Sequence, residues 1–293
     1  MKIEEGVELS RFTTLGAGGP AKAFARPESV EELEEALDWA REHELPVATV
    51  GLGSNLLVAD EGFDGLVLKL GGEFAEARVE GERLLAGGGA ANAVCLHRVR
   101  AAGLGGFEFA CAIPGTIGGG VWMNAGAYGS DWAAILDRAL VVDEQGTRSL
   151  TPEELGLRYR HSELRHGQVV ARAEFTLAPL PEEQIKATVA RLQALRKAAQ
   201  PTNKRTFGSV FKNAEHELSA GRMLEACGLK GHRIGGAQIS ERHANFIENA
   251  DGARAADAVA LMAEARRRAL EEYGVELVHE VEFLGPLELP VLR

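Results

Sequence analysis

The stretch Ile113-Pro114-Gly115-Thr116-Ile117-Gly118-Gly119-Gly120-Val121-Trp122-Met123-Asn124-Ala125-Gly126-Ala127 decides how this chain is read. It carries too many glycines for a regular strand or helix, yet it is apolar, unlike a solvated loop. Glycine lets a backbone approach its partner closely because no Cβ stands in the way. Such a surface suits packing against a large planar ligand; a buried glycine-rich packing segment has the same composition.

A second glycine stretch, Gly51-Leu52-Gly53-Ser54-Asn55, follows Pro46 to Val50, which reads as a short buried strand. A dinucleotide-binding turn of the Rossmann kind needs a third glycine at position 56, but Leu56 stands there. No helix of the right pattern follows. The two glycines still permit close approach to a pyrophosphate, and Ser54 and Asn55 add polar contacts. A plain tight turn accounts for the same residues.

Outward from these segments the chain reads as α+β. Ser29 with Glu32 forms a capping-box signal, and Val30, Leu33, Leu37 and Ala40 recur at helical spacing. Leu66 to Leu70 predicts a further strand, giving a β-α-β unit over residues 1–70. Arg83 to Ala86 predicts a strand, followed by an alanine-rich helix to about Ala102. Leu140 to Asp143 and Thr147 to Leu150 read as a hairpin, and Ala171, Ala173, Phe175 and Leu177 alternate as a half-buried strand. A helical stripe from Ile185 to Leu195 ends before Pro201, and residues 196–203 read as a junction. The last ninety or so residues predict a short helix near Met223, a strand near Asn245 to Ile247 and a long helix capped by Gly274. Leu277, His279, Val281 and Phe283 then alternate as a final strand, which leaves Glu280 on its outer face. The divisions expected are residues 1–70, 71–200 and 201–293.

With 293 residues, 45% of them hydrophobic and 26% charged, the composition is that of an ordinary soluble protein with enough apolar material for a core. No apolar run approaches the roughly 20 residues that cross a bilayer. The acidic start, Met1 to Ser10, is unlike a signal peptide. Cys95, Cys111 and Cys227 show neither metal nor redox spacing, which fits a reducing cytoplasm. A net charge of −11 argues against nonspecific nucleic-acid binding. Between Arg196 and Arg233, however, eight Lys or Arg face three Glu. That local basic region suits an anionic, phosphorylated ligand; a solvated surface explains it too.

An ordered set of motifs carries a resemblance over nearly the whole chain. Thr13-Thr14-Leu15-Gly16 comes first, then the Gly51-to-Leu57 and Ile113-to-Ala127 segments. Tyr159-Arg160-His161-Ser162, Gly208-Ser209-Val210-Phe211-Lys212-Asn213, His243-Ala244-Asn245-Phe246 and His279-Glu280-Val281 follow. The sequence resembles the UDP-N-acetylenolpyruvoylglucosamine reductase family, in its compact branch without an extra tyrosine-bearing loop. The resemblance implies a two-part FAD-binding domain of the PCMH (vanillyl-alcohol oxidase) type, not a Rossmann fold, with a C-terminal α+β substrate domain. It implies noncovalent FAD, NADPH as hydride donor, a small-molecule UDP-sugar substrate and a monomer. The implied activity is reduction of an enolpyruvyl group during peptidoglycan precursor synthesis in the cytoplasm, with no nucleic acid, membrane or metal involved.

By the same resemblance, Gly51, Gly53, Ser54, Asn55, Leu56, Pro114, Gly115, Thr116, Gly118, Gly119, Asn124, Ala125 and Gly126 are expected to bind the flavin. Arg160, Ser209 and Glu280 match the catalytic arginine, proton donor and glutamate. Their chemistry suits the reaction: hydride addition beside a carboxylate builds up enolate charge, and a proton must then reach the neighbouring carbon. Without the resemblance, a surface arginine, a turn serine and a solvated strand glutamate account for the three. Lys204, Arg205, Lys212, Asn213, Lys230, Gln238, His243 and Asn245 are the candidates for substrate contacts. Two departures from the family pattern are local: Ala214 replaces a common proline, and Glu163-Leu164-Arg165 replaces a more usual aromatic and lysine.

Overall fold

A computed structural model describes residues 1–292. The chain forms two compact units, each assembled from separated segments. One comprises Met1–Glu5, Ala23–Leu52 and Gly65–Arg196; the other comprises Gly6–Lys22, Gly53–Asp64 and Lys197–Arg293. Helices and strands are mixed throughout both, so the fold is α+β.

In the first unit, helix α1 (Val30–Glu42) starts where the sequence places it: the Ser29 hydroxyl accepts the Glu32 N–H at 3.3 Å. The Glu32 carboxylate reaches past the cap to the N–H of Glu28, at 2.8 Å. Leu33, Ala36, Leu37 and Ala40 bury one face of α1 in a core with Val47, Leu66, Leu68, Phe74, Val142 and Ala171. The Val47–Thr49 strand runs parallel to Leu66–Leu68. A five-stranded antiparallel sheet follows, in the order Gly146–Leu150, Leu136–Asp143, Val169–Thr176, Arg83–Gly87, Ala77–Glu80. In its central strand the alternation seen in the sequence is visible as burial, with Ala171, Ala173 and Phe175 inward.

Helix α2 (Asn92–Ala101) covers this sheet, and the glycine-rich stretch supplies the next helix, α3 (Ile117–Trp122). That corrects the expectation that the stretch is too rich in glycine for a helix. Short α3 is held by its surroundings: Ile117 and Gly118 donate to the carbonyls of Ala90 and Gly88 at 2.9 and 2.8 Å. Beneath it Phe107, Phe109, Trp132 and Phe175 pack edge-on or tilted, with ring centroids 5.1 to 6.3 Å apart. Helix α4 (Glu182–Ala199) buries Ile185, Val189 and Leu192.

The second unit is built on an antiparallel sheet in the order Thr206–Ser209, Phe246–Asn249, Ala237–Ile239, Arg233–Ile234. Helices α5 (Ala220–Ala226) and α6 (Ala255–Tyr273) pack in its core with Leu15, Leu57, Phe207, Phe211 and Leu277. Gly274 ends α6 in the left-handed conformation at φ 65°, as its glycine predicts. At the other end, Arg254 offers no side-chain cap hydrogen bond. Asp257 Oδ2 accepts the Arg254 N–H at 3.0 Å, and the two carboxylate oxygens of the distant Asp60 accept the N–H groups of Ala255 and Ala256 at 2.9 and 3.1 Å. The last strand is shorter than the sequence predicts, Glu282–Leu284, and pairs in parallel with Leu56–Val58. Glu280 precedes it, in a segment fixed by single backbone bridges.

Candidate active site

The glycines of α3 are of two kinds. A Cβ at Gly118 would lie 2.9 Å from the Gly88 carbonyl oxygen, and one at Gly120 would lie 2.7 Å from the buried Trp132 ring. Packing alone requires both. Gly119 is exposed, and a Cβ there would meet only Thr116 Oγ1, at an ordinary 3.7 Å, beyond the helix's own backbone. The protein's own packing therefore does not demand glycine at 119, and a planar cofactor lying on α3 would. A Cβ at Gly51 would fall 2.5 Å from Thr116 Oγ1, so the two glycine segments meet in this unit. Pro114 is exposed, and the Gly115 carbonyl accepts the Asn92 N–H at 3.1 Å. These residues fit a flavin.

Lys69 Nζ donates to the Gly51 carbonyl at 2.7 Å. Burial first, and then the charge of Arg26, hold the Lys69 ammonium below the ordinary lysine range. No motif in the sequence marks Lys69; its one signal there is a lone cation closing the apolar run Leu66-Val67-Leu68.

Arg160 belongs to the same unit. It occupies a two-residue turn, Tyr159-Arg160, closed by reciprocal backbone bonds between Arg158 and His161 at 3.1 and 3.0 Å. Its φ of 52° lies in the left-handed region, uncommon for arginine. Arg160 Nη2 donates to the Gly126 carbonyl at 2.6 Å, and its guanidinium lies over the Tyr159 ring. The arginine expected to meet the substrate is thus fastened to the end of the glycine-rich segment. Ala125 is buried behind it, its N–H donating to the Gly120 carbonyl at 2.8 Å.

In the second unit three distant segments converge. Glu280 N–H donates to the Val210 carbonyl at 2.8 Å, Phe211 bridges His279, and Lys212 N–H donates to the Val278 carbonyl at 2.9 Å. Asn55 Nδ2 donates to the Glu280 carbonyl at 3.1 Å, and Glu282 N–H donates to the Asn55 carbonyl at 3.0 Å. Gly208, at φ 84°, sits so close to Ser54 that a Cβ would lie 3.1 Å from its carbonyl oxygen. Ser54, Asn55, Leu56, Ser209 and Glu280 therefore share one neighbourhood, and the pairing of the serine's strand is irregular between Thr206 and Ser209. Gly53 has a purely internal explanation: its φ is +63° and a Cβ would strike the Phe12 carbonyl oxygen at 2.0 Å. The Thr14 hydroxyl braces this region by donating to the Thr206 carbonyl at 2.6 Å.

The expected substrate residues are placed unevenly. Lys230 Nζ meets Glu225 Oε1 at 2.6 Å, and that partner holds the Glu225 carboxyl below its usual range. His243 is close by; burial first, then the Lys230 charge, lowers its pKa. Its Nδ1 accepts the Asn245 N–H at 3.2 Å. Asn245 is 5% exposed, and its amide grips Phe211 at both ends, accepting its N–H at 2.9 Å and donating to its carbonyl at 2.8 Å. That geometry makes Asn245 a brace for the Ser209 strand. Asn213 is exposed, and its Oδ1 accepts the Ala220 N–H at 3.1 Å at the start of α5. Gln238 lies opposite Glu248 in the sheet, with Lys204 Nζ 3.9 Å from the same carboxylate. Arg205 is exposed and lies alongside Gly16.

Residues 21–150 match an FAD binding domain. Residues 200–284 match the C-terminal domain of UDP-N-acetylenolpyruvoylglucosamine reductase. The chain is 44% identical to the UDP-N-acetylenolpyruvoylglucosamine reductase of Heliobacterium modesticaldum, over 94% of this chain and 89% of that protein. It is 42% identical to that of Rubrobacter xylanophilus, over 94% and 93% of the two chains. The crystal structure of the reductase from Thermus caldophilus aligns with a TM-score of 0.85 at 38% identity, covering 97% of this chain and 100% of that one. The chain belongs to the UDP-N-acetylenolpyruvoylglucosamine reductase family.

Proposed function

We propose that this chain reduces the enolpyruvyl group of UDP-N-acetylglucosamine-enolpyruvate to UDP-N-acetylmuramate, as a cytoplasmic step of peptidoglycan precursor synthesis. Noncovalent FAD, which segments 51–56 and 114–126 would hold, would supply hydride chemistry, relaying hydride from NADPH to the carbon–carbon double bond. Gly119, exposed and open above α3, makes room for that cofactor. The observation that carries the reading is the meeting of three distant segments, in which the Glu280 N–H donates to the carbonyl of Val210, next to Ser209, and Asn55 Nδ2 donates to the Glu280 carbonyl.

In this reading Arg160 binds the substrate carboxylate and stabilises the enolate that forms when hydride adds beside it. The Ser209 hydroxyl then gives a proton to the neighbouring carbon, and Glu280 supports the enolate or orients the donor. Hydride and proton together saturate the double bond. Lys212 and Lys230 take the anionic diphosphate, and His243 lies beside Lys230. The working form is a monomer acting on a small molecule. Cys95, Cys111 and Cys227 are free thiols, in keeping with a reducing compartment.

The test separates the half-reactions. Ser209→Ala holoenzyme should be reduced by NADPH at the wild-type rate and reoxidise about 10²- to 10⁴-fold more slowly with the enolpyruvyl substrate, the usual contribution of a positioned general acid. Ser209→Cys should recover part of the loss, and Glu280→Gln should share the pattern. Wild-type reoxidation in Ser209→Ala would remove the proton-donor role.

A further inference from the structure

We infer that Asn124 is a positioning residue that sets the Arg160 turn, and that its side chain serves the arginine and not the flavin. The inference rests on the reading of Arg160 as the group that meets the substrate. Asn124 is 1% exposed, so its amide faces protein alone. Its Nδ2 donates to the Arg158 carbonyl at 3.1 Å, the residue that closes the turn carrying Arg160. The same nitrogen donates to Asp131 Oδ2 at 3.1 Å. Its Oδ1 accepts the Ala133 N–H at 2.9 Å. Asp131 is fixed in turn, its Oδ1 accepting the Ala134 N–H at 3.2 Å.

Two further ties join the same pair of segments. Arg160 Nη2 donates to Gly126, two residues beyond Asn124, and the buried Ser162 hydroxyl donates to the Trp122 carbonyl, two residues before it. Three tethers thus lock Arg158–Ser162 to Trp122–Gly126, and Asn124 is the central one. The backbone of Asn124 is left-handed at φ 43°, which asparagine tolerates better than most residues. Its conformation and its hydrogen bonds therefore both call for this residue type. A catalytic group displaced by about 1 Å loses on the order of 10²-fold in rate.

The experiment uses holoenzyme of Asn124→Asp, Asn124→Gly and Arg160→Ala, and both double variants. Asn124→Asp keeps the backbone and the acceptor for Ala133, but turns a second carboxylate oxygen on Asp131 and the Arg158 carbonyl. Asn124→Gly keeps the left-handed φ and removes the amide. Either should retain FAD, be reduced by NADPH within about threefold of wild type, and reoxidise roughly 10- to 100-fold more slowly with the enolpyruvyl substrate. In the Arg160→Ala background the same substitutions should cost less than about twofold more, because the residue they position is gone. Loss of FAD, or equal slowing of both half-reactions, would make Asn124 a flavin-binding or general structural residue and overturn the inference. Independent, multiplying losses in the double variants would overturn it as well. Wild-type reoxidation in Arg160→Ala alone would instead refute the role of Arg160, a distinguishable outcome.

Discussion

Substituting alanine at the two neighbouring glycines of α3 should give effects of opposite kind. At Gly120 the new methyl would sit 2.7 Å from the Trp132 ring, which is wholly buried among Phe107, Phe109 and Phe175. Neither ring nor helix can yield cheaply, and overpacking of a core costs roughly 1–3 kcal/mol. At Gly119 the new methyl would meet only Thr116 Oγ1, at 3.7 Å, with no clash to relieve. Alanine is better than glycine inside a helix by roughly 0.5–1 kcal/mol. Gly119→Ala apoprotein should therefore be as stable as wild type or slightly more so, while Gly120→Ala should melt several degrees lower. The cofactor reverses the order of interest. If a flavin lies on α3 at position 119, a methyl or valine there intrudes on it, and about 1–3 kcal/mol of overpacking corresponds to roughly 5- to 150-fold weaker binding. The assay pairs thermal unfolding of the apoprotein with titration of FAD fluorescence. Wild-type FAD affinity in Gly119→Val, with the C-terminal unit folded, would refute the assignment of Gly119 to the cofactor.

Asp60→Ala removes the carboxylate that caps α6 and should lower stability by about 1–2 kcal/mol, read by denaturant unfolding of the second unit. Lys212→Ala or Lys230→Ala should weaken substrate binding about 10- to 150-fold and leave the flavin absorption unchanged; unaltered binding in both would move the anion site elsewhere. His243 is held neutral by burial and by Lys230, and its Nδ1 accepts a hydrogen bond, so its folded pKa lies below the unfolded value. Its contribution to stability is full above pH ~6.5 and falls as pH drops through the lowered pKa. His243→Gln should flatten this acid limb in unfolding measured between about pH 5 and 7.

Much of the architecture is legible because it rests on local rules. Ser29 and Glu32 announce α1, Gly274 ends α6, and the alternation from Ala171 to Phe175 marks a central strand. Helix α3 escapes such reading because consecutive glycines carry no side-chain periodicity; its form comes from the Gly88 and Ala90 carbonyls. The Asp60 cap and the Lys69 clamp escape it because each joins an element to a residue remote from it or placed in another strand. Alternation alone places Glu280 on a strand face, yet Val210 and Asn55 are what fix it. For the candidate site, motif order points to the segments, while the division of labour within them needs geometry. Gly53 serves a left-handed turn, Asn245 braces Phe211, and Asn124 holds the turn of Arg160.

The proposed reaction is a two-step transfer from NADPH through FAD to an enolpyruvyl UDP-sugar. Stopped-flow mixing of the purified holoenzyme with NADPH, followed by a second mixing with UDP-N-acetylglucosamine-enolpyruvate, tests it most directly. Flavin absorbance should bleach in the first step and return in the second, with one UDP-N-acetylmuramate formed per flavin reoxidised. A flavin that bleaches but returns no faster with the enolpyruvyl substrate than without it, with no UDP-N-acetylmuramate formed, would contradict the account.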